Sequence, residues 1–243
     1  VPKSIIVAGV AAARAVLSEQ QLENGVALID IGGATTNIAI YEEGDLQYSA
    51  VLPYGGINIT NDLAIGLKTD PEIAEKVKIE HASAIPRHER AGISLKHAGD
   101  IHTFDTTDID EIVEARLEEI FEAIQHEFKR AGRAGKLPSG VVITGGTAHL
   151  KGLVDYAKQY LGLAARIGKT SGYGGVADNI EQPEYATAVG LMLIDAGMYA
   201  NMFLAYRFSH HLKIPFFSAA AGEAVMQMKN DTAEFQEPLA DAM

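Results

Sequence analysis

Apolar residues recur first with the spacing of strands, and this pattern predicts how the domain begins. Short apolar segments lie at Val26–Asp30, Ile38–Tyr41 and Leu46–Leu52. The second and third segments alternate between apolar and polar residues, which is typical of strands with one exposed face. The turn EEGD separates these two segments, and its Gly44 suits a tight reversal. We therefore predict a three-stranded antiparallel meander.

Helical spacing dominates the middle of the chain. The stretch NITNDLAIGL, capped by Asn58 or Thr60, predicts one short helix, and TDPEIAEKVKIEHA predicts a second, with Asp70 as cap and Pro71 in its first turn. The clearest helix is Thr107–Ala131, whose apolar residues share one face at about 100° per residue. Between these helices, GISLKHAG and IHTF predict two edge strands.

The last ordered part alternates strand and helix. Val141–Thr144 and LAARIG predict strands, whereas LKGLVDYAKQYLG and PEYATAVGLMLIDAG predict helices. When residues 59–139 are set aside, the order is three strands, helix, strand, helix, strand, helix. This order predicts an α/β fold: a ribonuclease-H-like mixed sheet of three antiparallel strands extended by parallel ones, with a smaller α+β subdomain inserted.

Composition narrows the classes of function. The 243 residues include 20 Lys+Arg and 32 Asp+Glu, a formal charge of −12, which disfavours nucleic-acid binding by charge repulsion. The chain has no cysteine, so thiolate metal sites and thiol nucleophiles are excluded. No apolar run approaches the roughly 18 residues of a membrane-spanning helix, and we expect a cytoplasmic protein.

The stretch DIGGATTNIAIYEEGDL places chemistry at the end of the first strand. Gly32 and Gly33 allow a tight turn whose successive N–H groups form an anion-binding nest, with the hydroxyls of Thr35 and Thr36 beside it. Asp30, at the strand tip, would hold a water of a bound Mg²⁺. The alternative from this motif alone is a glycine-rich hairpin with a capping aspartate.

Two more glycine pairs strengthen the phosphate hypothesis. VVITGGTAHLKG places Gly145 and Gly146 between a strand and a helix, where we expect a second set of free N–H groups. PYGGINITND places a third pair after the third strand. In AEKVK, Glu75 and Lys78 lie three residues apart and therefore share one helical face. They either reach a ribose and base or form a solvated ion pair.

In their order and spacing, these motifs resemble the FtsA family of actin-like bacterial cell division proteins, over roughly residues 1–200. The further motifs LPYGGINITNDLAIGL and EYATAVGL belong to the same resemblance. The resemblance implies the second half of an actin-like ATPase. Residues 1–58 and 140–200 would form subdomain IIA, residues 59–139 subdomain IIB and residues 201–243 a C-terminal tail, while the first half would precede Val1.

The resemblance also implies an ATP and Mg²⁺ site, to which this chain supplies one wall. The residues so assigned are Asp30 near Mg²⁺ through water; Gly32, Gly33, Thr35 and Thr36 at the phosphates; Gly56 and Asn58 along the nucleotide; Glu75 and Lys78 at the ribose and base; and Gly145 and Gly146 at the adenosine. Two positions depart from the family pattern, since Ala34 replaces a glycine and Asn37 replaces an aspartate.

Catalysis is expected to be weak at most. Ala8 occupies the position at which actin-like ATPases often carry a glutamate or glutamine, and an alanine cannot polarise the attacking water. The resemblance further implies that nucleotide binds only together with the first half of the family's fold.

The implied partner is the C-terminal tail of FtsZ. Arg116 lies in the apolar arc of the long helix, where a charge is expected either to meet an acidic group or to reach solvent by snorkelling, and we predict that it contacts the partner. The family also implies self-association into actin-like filaments and a role in assembling or tethering the division ring. The tail after residue 200 matches an amphipathic anchor poorly, so we expect any membrane association, at the inner face of the cell membrane, to be indirect.

Two other functions fit the same fold. One is an enzyme of the superfamily, such as a sugar kinase or an exopolyphosphatase, which would need a catalytic aspartate and a sugar-reading segment; neither stands out here. The other is an actin-like scaffold of pilus assembly, which AEKVK and GGINITND do not distinguish from a division protein.

Overall fold

The strands form two sheets in the computed structural model, which describes residues 5–87, 91–172 and 180–197. Their bounds are β1 (Val26–Ile31), β2 (Thr36–Glu42), β3 (Asp45–Leu52), β4 (Gly92–His97), β5 (Asp100–Asp105), β6 (Val141–Thr144) and β7 (Ala165–Ile167). The order in the larger sheet is β3-β2-β1-β6-β7, and β4 and β5 form a separate hairpin. All of the strands predicted from the sequence are therefore confirmed.

The helices lie before, between and after these strands along the chain. They are α1 (Ala8–Val16), α2 (Glu19–Asn24), α3 (Gly56–Gly66), α4 (Pro71–His81), α5 (Thr106–Arg130), α6 (Leu153–Leu161) and α7, which covers residues 186–197. Short 3-10 helices lie at Gly146–His149 and Pro183–Tyr185. Contacts divide the chain into two units, 1–191 and 192–243, and both sheets lie in the first.

The pairing in the larger sheet confirms the ribonuclease-H-like prediction. β1 pairs antiparallel with β2, and β2 pairs antiparallel with β3. On its other side β1 pairs parallel with β6, which pairs parallel with β7. β1 is buried along its whole length, which explains its continuous apolar run VALIDI in place of alternation.

The long helix α5 joins the inserted segment to the sheet. Its apolar stripe includes Phe121 and Phe128, both fully buried, and belongs to the same core cluster as Ile38 of β2 and Val77 of α4. The core is thus continuous across the subdomain boundary that the sequence predicts at residues 139 and 140. That boundary stays a prediction, because the first unit contains both segments.

Two helix starts differ from the sequence prediction. Helix α3 begins at Gly56 with Gly55 as its N-cap, and the Asn58 side chain accepts a hydrogen bond from the Gly55 amide at 2.9 Å, so Asn58 lies inside the first turn. Gly146 opens a four-residue 3-10 helix, and α6 starts only at Leu153. The glycine pairs favour sharp reversals here because they permit close backbone approach.

Among residues 5–87, 91–172 and 180–197, we find no helix long and apolar enough to cross a bilayer. The predicted tail, residues 201–243, lies outside the described residues.

Candidate functional site

A turn between β1 and β2 presents free backbone amides to solvent. The Gly32 amide closes the turn by donating to the carbonyl of Thr35 at 2.9 Å. Gly33, Ala34 and Thr35 are exposed at its tip. Within the described part of the chain, the amides of Gly33 and Ala34 donate to no acceptor. Adjacent free amides in a turn form a concave site for an anion.

The second glycine pair packs directly onto this turn. The Gly56 amide donates to the Gly32 carbonyl at 2.9 Å, and the Ile57 amide donates to the Gly33 carbonyl at 2.7 Å. A Cβ on Gly55 would lie 2.6 Å from the Gly33 carbonyl oxygen, closer than side-chain carbons approach. Residue 55 must therefore be glycine for α3 to start against the turn.

The third pair reaches the same place from β6. The Thr147 hydroxyl donates to the Gly32 carbonyl at 3.1 Å. Gly145 adopts a left-handed φ of +86°, and a Cβ there would lie 2.4 Å from the Ile31 carbonyl oxygen. Its amide donates to the Pro183 carbonyl at 3.1 Å, so the expectation of free amides at this pair is wrong for Gly145. Gly146 is exposed.

Asp30 is a buried carboxylate beside this junction, with 8% of its surface exposed. Burial raises the pKa of Asp30, and hydrogen bonds from Thr187 and Asn37 oppose that rise. The Thr187 hydroxyl donates to Oδ2 at 3.1 Å, while a Cβ on Gly145 would lie 2.6 Å from Oδ1. Oδ1 therefore packs directly against the backbone of Gly145, where a side chain would not fit.

The structure gives a physical reason for asparagine at position 37, where the family pattern has an aspartate. Asn37 lies directly opposite Asp30 in the pairing of β1 with β2. An aspartate at 37 would face the buried Asp30 with a like charge, whereas the amide supplies a hydrogen bond that lowers the pKa of the carboxyl.

Glu75 and Lys78 belong to a network that holds the start of α3. The Lys78 ammonium donates to the Gly56 carbonyl at 3.1 Å, to the Thr60 hydroxyl at 2.8 Å and to the Glu75 carboxylate at 2.7 Å. The Thr60 hydroxyl also donates to Glu75. Burial raises the pKa of Glu75, but hydrogen bonds from Lys78 and Thr60 outweigh it, and the net shift is downward.

This network excludes the solvated ion pair as a description of Lys78, whose side chain is only 16% exposed. The ammonium is held against the backbone of the glycine junction, at the wall of a neighbouring cavity.

A cavity of about 780 Å³ opens between α4 and the turn after β6. Its lining includes Lys78 and Ile79 from α4, and Gly146, Thr147 and His149 from the 3-10 helix. Ile79 is 72% exposed and offers an apolar surface. The cavity combines apolar contact with a few polar groups, as small-molecule sites usually do.

Two links fix the floor of this cavity. The amide of Ala84 donates to the Lys151 carbonyl at 2.8 Å, which attaches the chain after α4 to the turn before α6. Arg87 binds the buried carboxylate of Asp110, with Nε 2.9 Å from Oδ2. The hydrogen bonds of Asp110 keep this buried charge paired.

Three predicted residues support the turn from inside. The Thr36 hydroxyl, fully buried, donates to the Tyr54 carbonyl at 2.9 Å and so joins β2 to the segment before α3. The Asn58 side chain accepts from the amide of Gly55, the N-cap of α3, and the Gly56 amide donates to the Gly32 carbonyl. Their contacts with a nucleotide stay predictions, whereas Gly33 and Thr35 lie on the exposed side.

Arg116 is engaged within the chain. Its guanidinium makes a two-pronged contact with Asp62 of α3, in which Nη2 lies 3.0 Å from Oδ1, and Nη1 donates to Glu119 at 2.6 Å. The side chain is 21% exposed. The charge in the apolar arc of α5 therefore meets an acidic partner on the neighbouring helix.

Sequence reasoning missed two residues of the site, Thr147 and Thr187. Thr147 follows directly after the glycine pair in ITGGTAHLKG, so its position was a usable signal. Thr187 lies 157 residues from Asp30, and nothing local to it indicates that contact.

Together, the strand order and the three converging glycine turns define the actin-like class of nucleotide-binding folds. MreB5 of Spiroplasma citri, solved bound to ADP, has this fold with a TM-score of 0.66 at 19% identity, over 82% of this chain and 61% of that one. A double helical filament of MamK matches with a TM-score of 0.57 at 21% identity, over 78% of this chain and 58% of that one.

The sequence itself identifies the family. The family described as cell division protein FtsA matches residues 27–190. FtsA of Pseudomonas aeruginosa is 38% identical over 78% of this chain, and FtsA of Neisseria meningitidis serogroup B is 35% identical over 77%. The chain belongs to the FtsA family. It spans about half the length of these curated relatives, 46% and 47%.

The glycine junction makes a prediction about stability. Gly55→Ala would press a methyl group against the carbonyls of Gly32 and Gly33, and we expect a loss of about 1–3 kcal/mol of unfolding free energy, as for other overpacked sites. Gly33→Ala is the matched control, because a Cβ at Gly33 meets nothing within 4 Å. Urea unfolding of both variants measures the difference; equal stability of the two would contradict the packing argument.

The raised pKa of Asp30 predicts a pH dependence. Between the unfolded and folded pKa values the folded state binds more protons, so stability falls as pH rises through this window and the cost persists at neutral pH. Asp30→Asn is therefore expected to be more stable than the wild type at pH 7. This advantage should shrink as pH falls through the window between the raised folded pKa and the ordinary aspartate pKa of about 3.9, and it should be absent below that value.

Chemical unfolding over a pH series measures this difference. Asp45→Asn, which removes a carboxylate at an exposed position in β3, is the matched control for the loss of one negative charge. A constant difference between Asp30→Asn and wild type at all pH values would mean that burial of the charge is not its cause.

Proposed function

We propose that this chain forms the subdomain II wall of an ATP site in an actin-like protein of bacterial cell division. The observation that carries the proposal is the junction of the three glycine pairs, with free amides at its tip, next to the cavity of about 780 Å³. Membership of the FtsA family supports the division role, and the ADP bound to the similarly folded MreB5 supports the nucleotide.

The phosphates would bind at the turn between β1 and β2. The amides of Gly33 and Ala34 are free to donate, and the Thr35 hydroxyl lies beside them on the exposed surface. Backbone amides suit this chain, because they bind an anion without adding positive side chains to an acidic surface. Ala34 presents its amide as a glycine would.

The adenosine would occupy the cavity between α4 and the turn after β6. Gly146 leaves one wall open, since a Cβ there meets nothing within 4 Å, and Ile79 supplies an exposed apolar face. Lys78 lines the same wall with its ammonium already held by Glu75 and Thr60. Because the Lys78 ammonium is fixed in this way, we expect adenosine to be recognised by the shape and hydrogen-bonding groups of the cavity and not by a mobile charged side chain.

Asp30 fits an indirect magnesium contact. Mg²⁺ keeps several of its waters and commonly uses one or two carboxylates together with substrate phosphates. The described residues hold no group of three or more metal-ligating side chains, and Asp30 is a carboxylate near the end of β1, beside the turn proposed for the phosphates. When bound, the ion would neutralise phosphate charge, while Asp30 would hold one of its waters in place.

The free amides also change one expectation from the sequence. The resemblance restricts nucleotide binding to the complete cleft, but a wall with unpaired donors is expected to retain weak affinity by itself. We therefore expect ATP to bind this chain in the millimolar range, which NMR chemical-shift titration detects.

Gly146→Val tests this site without disturbing the fold. The valine side chain would enter the cavity wall, and ATP affinity should fall by about 10-fold or more, equivalent to at least ~1.4 kcal/mol. Without nucleotide the unfolding midpoint should not change, because the added Cβ meets open space. Gly92→Val, at an exposed strand position with equally open space, is the matched control. Unchanged ATP binding by Gly146→Val would exclude this cavity as the adenosine site.

We also propose that the chain binds the FtsZ C-terminal tail and takes part in filaments of actin type. The family and the MamK filament support this class of assembly. Arg116 lies on α5, at the partly exposed junction with α3. Any location at the cytoplasmic face of the cell membrane would be indirect, through binding to these partners.

Arg116 either contacts the partner directly or only stabilises the packing of α3 against α5. Two substitutions distinguish these roles. If the guanidinium contacts the FtsZ tail, Arg116→Ala should weaken binding of a tail peptide by about 10-fold or more, as for interface arginines. Asp62→Ala leaves the guanidinium with Glu119 as its acidic partner and should preserve or strengthen binding. Fluorescence anisotropy with the labelled peptide measures both.

Equal weakening by the two substitutions, accompanied by equal destabilisation, would assign Arg116 to helix packing alone. Lys129→Ala, an exposed basic residue near the end of the same helix, controls for loss of positive charge.

A further inference from the structure

We propose that the imidazole ring of His149 stacks on the nucleotide base, and that Glu184 is the positioning residue that holds this ring. The inference rests on the proposed nucleotide site and adds two residues to it. His149 ends the 3-10 helix Gly146–His149 and lines the cavity of about 780 Å³. Its side chain is 51% exposed, so part of the ring is accessible to a ligand.

The 3-10 helix places this ring on the same side as the open glycine. Side chains three residues apart in a 3-10 helix lie on one side, and each residue adds about 2 Å of rise. His149 therefore lies on the side of Gly146, about 6 Å further along the helix. A Cβ on Gly146 would meet nothing within 4 Å. A ligand that passes over Gly146 would next meet the imidazole.

The start of this helix is attached to the turn proposed for the phosphates. The Thr147 hydroxyl donates to the Gly32 carbonyl at 3.1 Å, directly before the exposed Gly33. In a nucleotide the ribose separates the base from the phosphates. With the phosphates at the turn, the base would lie towards the far end of the 3-10 helix, which is His149.

Glu184 holds the ring through one nitrogen. Its carboxylate contacts Nε2 of His149 at 2.6 Å. Burial raises the pKa of Glu184, but hydrogen bonds from His149 and from its own backbone amide outweigh it, and the net shift is downward. An ionised carboxylate only accepts hydrogen bonds, so Nε2 carries the hydrogen and the bond restricts rotation of the ring. The neighbouring Pro183 is buried and accepts the Gly145 amide at 3.1 Å, which holds Glu184 beside the same turn.

A second imidazole lines the same cavity but is held less firmly. His81 ends α4, and its Nε2 lies 3.8 Å from the Glu80 carboxylate, beyond hydrogen-bond distance. Its side chain is 29% exposed, against 51% for His149. Ile79 of α4 is 72% exposed and would cover the other face of the base. Imidazole rings are among the side chains on which bases stack, and we assign this role to His149.

Stacking predicts a loss that depends on the base. Removal of a ring that stacks on a base weakens binding by about 5-fold or more. We expect His149→Ala to weaken ATP binding by about that factor and to leave unchanged the binding of inorganic tripolyphosphate, which has no base. Glu184→Ala should cause a smaller loss for ATP, and no further loss in the His149→Ala background. His149→Phe keeps a flat ring and should retain most of the ATP affinity.

NMR titration of this chain with ATP and with tripolyphosphate measures these affinities. The Gly33 amide reports the phosphates, and the ring protons of His149 report the base. In wild type with ATP, we expect nuclear Overhauser contacts between these ring protons and the adenine protons. His126→Ala removes an exposed imidazole of α5 outside the cavity lining, and it should change neither affinity.

Unchanged ATP affinity in His149→Ala would overturn the proposal, and so would an equal loss for ATP and tripolyphosphate, which indicates a purely structural role. A larger ATP loss from His81→Ala would assign the base to that ring instead. ATP that shifts the Gly33 amide without any contact to the His149 ring would overturn this inference alone and leave the phosphate turn in place. Wild-type chain that binds neither ligand would overturn the proposed nucleotide site, and this inference with it.

Discussion

The site depends on one backbone oxygen, the carbonyl of Gly32, which accepts hydrogen bonds from the Gly56 amide and from the Thr147 hydroxyl. These two donors begin segments that follow β3 and β6, so a single acceptor joins three parts of the chain. The contact is possible only because residues at the junction lack side chains: a Cβ on Gly55 would lie within 2.7 Å of the Gly32 oxygen. Gly33 and Ala34 remain exposed at the tip of this turn.

A buried carboxylate beside this junction costs stability, and the surrounding residues limit the cost. Asn37 and Thr187 donate to Asp30 from β2 and from α7, and they oppose the effect of burial on its pKa. An isolated buried charge persists in proteins mainly where it has a function, because a neutral residue would be more stable there. Asparagine at position 37, where the family pattern has an aspartate, also avoids a second negative charge opposite Asp30.

Ionic contacts attach the inserted helices to each other and to the site. Lys78 of α4 holds the backbone of Gly56 at the start of α3, and Arg116 of α5 holds Asp62 on the next turns of α3. Helix α3 therefore connects the wall proposed for the nucleotide at one end with the surface proposed for FtsZ towards the other. Since the Lys78 and Arg116 side chains are only 16% and 21% exposed, solvent screens these contacts less than ordinary surface pairs.

The sequence alone determined the order of the elements and the location of the glycine turn that we propose for the phosphates. Periodicity and turn residues are local properties, and the pairs at Gly32, Gly55 and Gly145 stand out because glycine has few other uses at strand ends. Tertiary structure decided which polar groups are already hydrogen-bonded within the chain and which can still bind a ligand or partner. It showed that the Gly145 amide and the Arg116 guanidinium are already bonded and that Thr187 reaches Asp30. Such partners are set by packing between residues far apart in the chain, which local spacing does not encode.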